Sequence, residues 1–247
     1  MEGLPTERIT QAKTFYKTGI NYAELFSIKV SRNKTGKAYL AIFVCLVTKA
    51  IHFELVSDLT SAAFLNSLKR FISHRGKCST LYSDNSTTFT GTRNQLADLK
   101  SFLLKENTQQ IIHDYLVENF IEWKFIPSHS PDMGGLWEAA VKSAKSHMQK
   151  IIGTKILHFE ELYTILTQIE ACLNSRPFTP LSTSPTDLQA ITPGHFLVRE
   201  AITSIPERNF TDVPTNRLTR FQLLSQIKHF WNRWAQEYIL QLQQRYK

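Results

Sequence analysis

Two carboxylates stand where phosphoryl-transfer chemistry would use them. Asp84 directly follows a short apolar run in "LYSDNSTTF", and Glu138 lies in the first turns of a helical pattern, "GGLWEAAVKSAK". A strand-end Asp and a Glu on a helix packed beside it aim hard oxygen ligands at one point. Mg2+ takes one or two carboxylates together with substrate phosphate oxygens and water. Two such ions about 4 Å apart can activate an attacking oxygen and stabilise a leaving one. Taken singly, Asp84 also reads as a turn or helix-cap residue and Glu138 as a solvated helix residue. Lys142 and Lys145 follow Glu138 at spacings of four and then three, so the three residues share one helix face. Leu136, Ala140, Ala144 and Ile151 run opposite. Such a polar face suits a metal ligand flanked by phosphate contacts, and an i,i+4 salt bridge on a solvated face is the competing reading. The Gly-containing loop "PSHSPDMGG" enters this helix and can move against a substrate.

The elements that must carry these residues are read from hydrophobic periodicity. Three strand candidates come first: 20–30, the continuously apolar 38–47 and the alternating "IHFELV" at 51–56. "NKTGK" at 33–37, with Gly36, reads as the hairpin loop between the first two. The period then changes. Phe64, Leu65, Leu68, Phe71 and Ile72 fall on one helix face, with Thr60 or Ser61 as cap and Gly76 after the end. A short strand at 78–83 runs into Asp84, a helix at 92–106 follows, then a helical or irregular insert to about 119 and a strand at 121–126. Two helices follow, one from "GGLWEAAVKSAKSHMQKIIG" and one from "FEELYTILTQIEACLNSRP". A Pro-rich connector and a last helix over 217–244 close the chain. The order describes an α/β protein, a mixed sheet with helices packed on it.

Composition narrows the partners. A net charge of +8 and 42% hydrophobic residues fit a folded protein with an affinity for polyanions, although a merely basic globular protein has the same balance. Cys45, Cys78 and Cys172 are scattered and form no CxxC pair, which predicts buried free thiols in a reducing compartment. "MEGLPTERIT" lacks the apolar stretch of a signal peptide, and "AYLAIFVCLV" is too short to span a bilayer as a helix. The expectation is a soluble, intracellular protein with no membrane partner.

"SDNSTTFTG", "FIPSHSPDMGGLWEAAVKSAK" and "LNSRPFTPLS" together resemble the integrase catalytic core of Bel/Pao-type LTR retrotransposons. "ITPGHFLV" and the stretch from Asp212 to Arg245 resemble the segment that follows that core. The resemblance implies an RNase H-like (retroviral-integrase-like) mixed five-stranded sheet flanked by helices, plus a C-terminal helical extension. In this sheet the first three strands are antiparallel and 78–82 and 121–126 are added in parallel. It divides the chain into a lead-in (1–9), the core (10–197) and a connector with a basic amphipathic helix, truncated at its C-terminal end (198–247). It further implies an Asp-Asp-Glu triad binding Mg2+ or Mn2+, DNA as partner, a homo-oligomer, and nuclear action. The second and third triad members fall on Asp84 and Glu138, a spacing of 54 residues that is longer than in retroviral integrases. Lys142 and Lys145 become nucleic-acid contacts. The zinc-binding domain and the small β-domain that flank such cores are not read in this chain.

The first triad member belongs in a segment similar to Gly-Ile-Asp-Tyr-Ala-Gly-Pro-Phe. Here the stretch is "GINYAELF", so Asn21 stands at the place of the metal-bridging Asp. Glu24 is a poor replacement: it is three residues on, and strand side chains alternate, so it is expected to point to the opposite face from position 21. Two further departures, Glu24-Leu25 for Gly-Pro and Ser86 for the Gly after "DN", point the same way: to an impaired enzyme or a re-purposed DNA-binding or assembly module. Asn21, Asp84 and Glu138 are expected to converge at one edge of the sheet. The last helix carries Arg217, Arg220, Lys228, Arg233, Arg245 and Lys247 against Glu237. Its apolar stripe of Leu224, Ile227, Trp231, Trp234 and Tyr238 suits packing, and its basic flank suits DNA.

Overall fold

The computed structural model describes residues 9–83, 106–125, 142, 146, 156–180 and 189–203. The chain divides into two compact units, Met1–Lys145 and Ser146–Lys247. All but the last residue of the helix expected at 92–106, most of the helix around Glu138, and the last helix lie outside the described residues.

In the first unit, β1 (Lys17–Ser31) and β2 (Lys34–Cys45) form a long antiparallel hairpin, and β3 (Ile51–Val56) pairs antiparallel with β2. β4 (Thr80–Ser83) and β5 (Glu122–Phe125) are added in parallel beside β1, giving the order β3-β2-β1-β4-β5. Order and directions are those of the RNase H-like fold. The turn of the hairpin is Arg32–Asn33, not the "NKTGK" loop that the glycine suggested. Gly36 sits inside β2 opposite Ile28, because a Cβ there would come within 2.8 Å of the Val30 side chain. It is a close-approach glycine rather than a turn glycine.

Helix α1 (Ser61–Arg75) packs on one face of this sheet. The Thr60 hydroxyl accepts from Ala63 N–H at 3.1 Å, and Gly76, at φ 85°, closes the helix by donating to Ile72 C=O. Phe71 stacks on Phe43 of β2 at 4.2 Å and takes the edge of Phe15 at 5.2 Å. Helix α2 (Glu106–Glu118) buries Ile112 and Leu116. In the second unit, β6 (Leu157–His158) leads into α3 (Phe159–Asn174), which ends before Pro177. The expected Pro-rich connector contains a two-stranded ladder, β7 (Thr179–Pro180) with β8 (Ala190–Ile191), and a short helix α4 (Pro193–Val198). No helix among the described residues is long and apolar enough to cross a membrane.

The alternation read in "IHFELV" does not mark a solvent face, since all six residues of β3 are buried. His52 and Glu54 lie under α1, where Arg70 Nε donates to Glu54 Oε2 at 2.6 Å and His52 Nε2 lies 3.1 Å from Glu54 Oε1. Arg75 Nε donates to His52 Nδ1 at 3.4 Å, which leaves the imidazole proton on Nε2, facing Glu54. Burial by itself would raise the Glu54 carboxyl. The hydrogen bonds from His52 and Arg70 outweigh it and hold the group below its ordinary value. A depressed folded-state pKa contributes stability that is present above the unfolded value and is lost as pH falls through the folded one. Arg70→Ala should therefore cost about 2 kcal/mol near pH 7, the scale of a hydrogen bond to a charged group. The cost should shrink as the pH drops below the ordinary glutamate range. Urea melts of both proteins at pH 7 and pH 3 check this, and an equal cost at both would show that the Glu54 charge is not what Arg70 satisfies.

Candidate active site

Position 21 is the triad position that the structure describes. Asp84, Glu138 and Lys145 lie outside the described residues, while Lys142 is helical and exposed. β1 is hydrogen-bonded along both edges here. On one edge Asn21 opposes Ile42 of β2. On the other, the parallel ladder runs from Lys17↔Thr80 to Ile20↔Ser83. Asn21 is thus the first β1 residue past that ladder, and it follows Ile20 as Asp84 follows Ser83 in the chain. β5 finishes at the same level, with Ser83 opposite Phe125. Trp123 Nε1 donates to Ser83 Oγ at 2.8 Å and pins the end of β4 to β5. The carboxyl ends of parallel strands are where open α/β sheets place their ligand sites.

The face that Asn21 presents follows from its neighbours. Thr18, Ile20 and Tyr22 are buried on the α1 side, with the Tyr22 ring tilted against Phe64 at 6.4 Å. Strand alternation then puts Asn21 on the opposite face with Ile42. It is half-buried, and its side-chain amide makes no hydrogen bond to a described residue. The Tyr22 hydroxyl is buried without a hydrogen-bond partner: Ser67, beside it, donates to Phe64 C=O instead. Burial, the largest effect, pushes the phenol above its ordinary range. Tyr22 is an anchor for β1 rather than a proton-transfer group.

The argument against Glu24 fails on the backbone. Tyr22 opposes Ala41 and Leu25 opposes Tyr39, so three steps on β1 match two on β2. The extra residue is a bulge, and it interrupts the alternation. Parity therefore no longer separates position 24 from position 21.

Elsewhere, no group of three His, Cys, Asp or Glu side chains converges among the described residues. The thiols are buried and free, as the sequence suggested. Burial pushes Cys78 up to about 11 and Cys172 up to about 12, which keeps both protonated and unreactive at neutral pH. Sequence reasoning passed over one charged feature, the basic residues Lys29, Arg32, Lys34 and Lys37 on the β1–β2 hairpin. Their signal was in plain view, four cations without an acid between Ser27 and Ala38, but the stretch was read only as the end of a strand and a hairpin loop.

No protein-family model and no curated protein matches the chain. Among solved structures, it is similar to a chain of the simian T-cell lymphotropic virus intasome in complex with PP2A regulatory subunit B56 gamma. The TM-score is 0.49 at 15% identity, over 85% of this chain and 64% of that one, so less than two thirds of the viral chain is spanned. It is also similar to the HTLV-2 integrase catalytic core domain in complex with magnesium. The trimeric form matches with TM-score 0.45 and 13% identity over 75% of this chain and 97% of that chain. The dimeric form matches with TM-score 0.45 and 14% identity over 74% and 97%.

Proposed function

We propose that this chain is the catalytic core of a Bel/Pao-type retrotransposon integrase, a polynucleotidyl transferase that processes and joins DNA 3′ ends, weakened at its first metal-binding position. The observation that carries the reading is the end of the β1–β4 ladder. Its last pair is Ile20↔Ser83, and the residues that follow these two in the sequence are Asn21 and Asp84, the motif's first and second triad positions. Glu138 is the third. Asp84 and Glu138 would hold Mg2+ or Mn2+, which when bound polarises the scissile phosphate. Asn21 gives the site one neutral carbonyl oxygen where a carboxylate would give charge. Its half-buried, unpartnered position fits that donor but offers weak holding, because hard cations are bound by oxygen number and negative charge. Lys142 and Lys145 would neutralise phosphates along the same helix face, with duplex DNA as partner, a homo-oligomer as working form and the nucleus as place of action.

A second reading, a non-catalytic DNA-binding or assembly module, is favoured by the same Asn21. A neutral amide at the metal-bridging position keeps the fold and the basic surface while removing charge from the site.

Asn21→Asp separates the two. The variant should bind Mg2+ or Mn2+ at least tenfold more tightly than the native chain. At saturating metal a tenfold gain adds about 1.4 kcal/mol of stability, read as a larger metal-induced rise in melting temperature. Without metal, the variant should be the less stable protein, because crowded carboxylates repel one another. A metal-dependent disintegration assay run beside the melts should show activity rising in the variant. Equal melting shifts would mean that position 21 does not face the metal.

The DNA contact has its own readout. Replacing both Lys142 and Lys145 by Ala should weaken binding to duplexes of any sequence and flatten the salt dependence by about one unit of slope per lost phosphate contact. Unchanged affinity and slope would assign the face to solvent.

A further inference from the structure

Within the first unit, β3 pairs with β2 only over Tyr39–Val44 and β4 pairs with β1 only over Lys17–Ile20. Beyond these ladders β1 and β2 stay paired to each other as a hairpin ribbon that turns at Arg32–Asn33. Its register sorts the side chains. Ser27 opposes Lys37 and Lys29 opposes Thr35, and pairs two steps apart share a face, so Lys29 and Lys37 are diagonal neighbours with two hydroxyls between them. The other face is apolar: Ile28 is buried opposite Gly36, with Val30 against the same glycine. The register shifts again between Lys29 and Ser31, and the exposed Arg32, Asn33 and Lys34 cap the tip.

The stretch Ser27–Ala38 holds four cations and no acid, half of the chain's net charge of +8. None of Lys29, Arg32, Lys34 and Lys37 forms an ion pair with a described residue, whereas Arg70 on α1 is held by Glu54. Diagonal positions on a ribbon lie about 7–8 Å apart, within reach for long side chains, and like charges that close destabilise the pairing. No acidic side chain among the described residues of the hairpin offsets that repulsion, and a polyanion would. The two hydroxyls complete the pattern: ammonium groups and small donors on one face of the hairpin match the oxygens of a phosphodiester chain.

We propose that the Ser27–Ala38 ribbon is a second DNA-binding surface, in which Lys29 and Lys37 contact backbone phosphates of a duplex and Arg32 and Lys34 extend the contact at the tip. The choice of DNA rests on the integrase-type reading above, and the ribbon adds to it a contact remote in sequence from Lys142 and Lys145. Contacts of this kind carry affinity and orientation but little base specificity.

The test is equilibrium binding of the full chain to fluorescent 30-base-pair duplexes of two unrelated sequences across a salt series. Lys29→Thr with Lys37→Thr keeps strand propensity and removes both ribbon-face charges. The counterion-release relation then predicts a salt slope lower by about two units and, at 0.15 M monovalent salt, a loss of affinity of about 30-fold on both sequences. Lys29→Arg with Lys37→Arg should bind as the native chain does, which ties the loss to charge. Melting temperatures confirm that each variant is folded. Native affinity and slope in the Thr pair would overturn the proposal while leaving the integrase-type reading standing. No binding by the native chain would overturn both. A polyglutamate peptide bound as tightly as DNA, and released by the same pair, would assign the ribbon to an acidic protein and overturn it as well.

Discussion

β1 is hydrogen-bonded on both edges, antiparallel to β2 and parallel to β4, and the placement of position 21 depends on that constraint. A strand paired on both sides cannot slide by one residue without moving every side chain to the other face. Here the cost of a slip is high on the α1 side, where Thr18, Ile20 and Tyr22 are buried. Phe15 and Phe43 hold Phe71 against the same face, so the helix that covers the sheet also locks its central strand. Asn21 occupies the level where the β1–β4 ladder ends and the β1–β2 ladder continues. There a side chain can stand at the carboxyl end of β4 while its backbone remains in the sheet.

Much of this was legible in the sequence, and the parts that were not share a cause. The β3 boundaries, the α1 cap at Thr60 and its stop at Gly76 follow from local patterns, and the structure has them where the patterns put them. Misreadings arose where a residue's role is set by something distant in sequence. Gly36 was taken for a turn glycine, yet its reason is the Val30 side chain across the ribbon. His52 and Glu54 gave β3 an apparent solvent face, since nothing within "IHFELV" announces that Arg70 and Arg75 will come down on them from α1. The bulge after Tyr22 is invisible to any count by twos, and it removes the parity argument about Glu24. At the candidate site, the sequence motifs named the residues, and the strand register puts Asn21 one residue past the last β1–β4 pair, Ile20↔Ser83.

Glu54 and Asn21 show how the same sheet treats charge on its two faces. Glu54 is 1% exposed and ionised at neutral pH, which is tolerable because Arg70 and His52 donate to its two oxygens. The Arg70 guanidinium remains 45% exposed, so it keeps part of its hydration while neutralising the buried carboxylate. Asn21, half-buried on the other face, has no donor among the described residues. A carboxylate there would rely on a bound cation for what Arg70 and His52 supply to Glu54.

That difference explains what Asn21 does for the protein irrespective of catalysis. An aspartate without metal is a partly desolvated charge, and burying such a charge unpaired costs more than leaving an amide in its place. Asn keeps the shape and can satisfy its own polar atoms with water at the exposed side of the strand. Under the proposed reading of position 21, the amide would free the fold from dependence on divalent metal and surrender metal affinity in the same stroke. A chain whose remaining work is to hold DNA through exposed lysines would lose little by that exchange. A chain that must position two cations against a phosphate would lose the charge that holds them together.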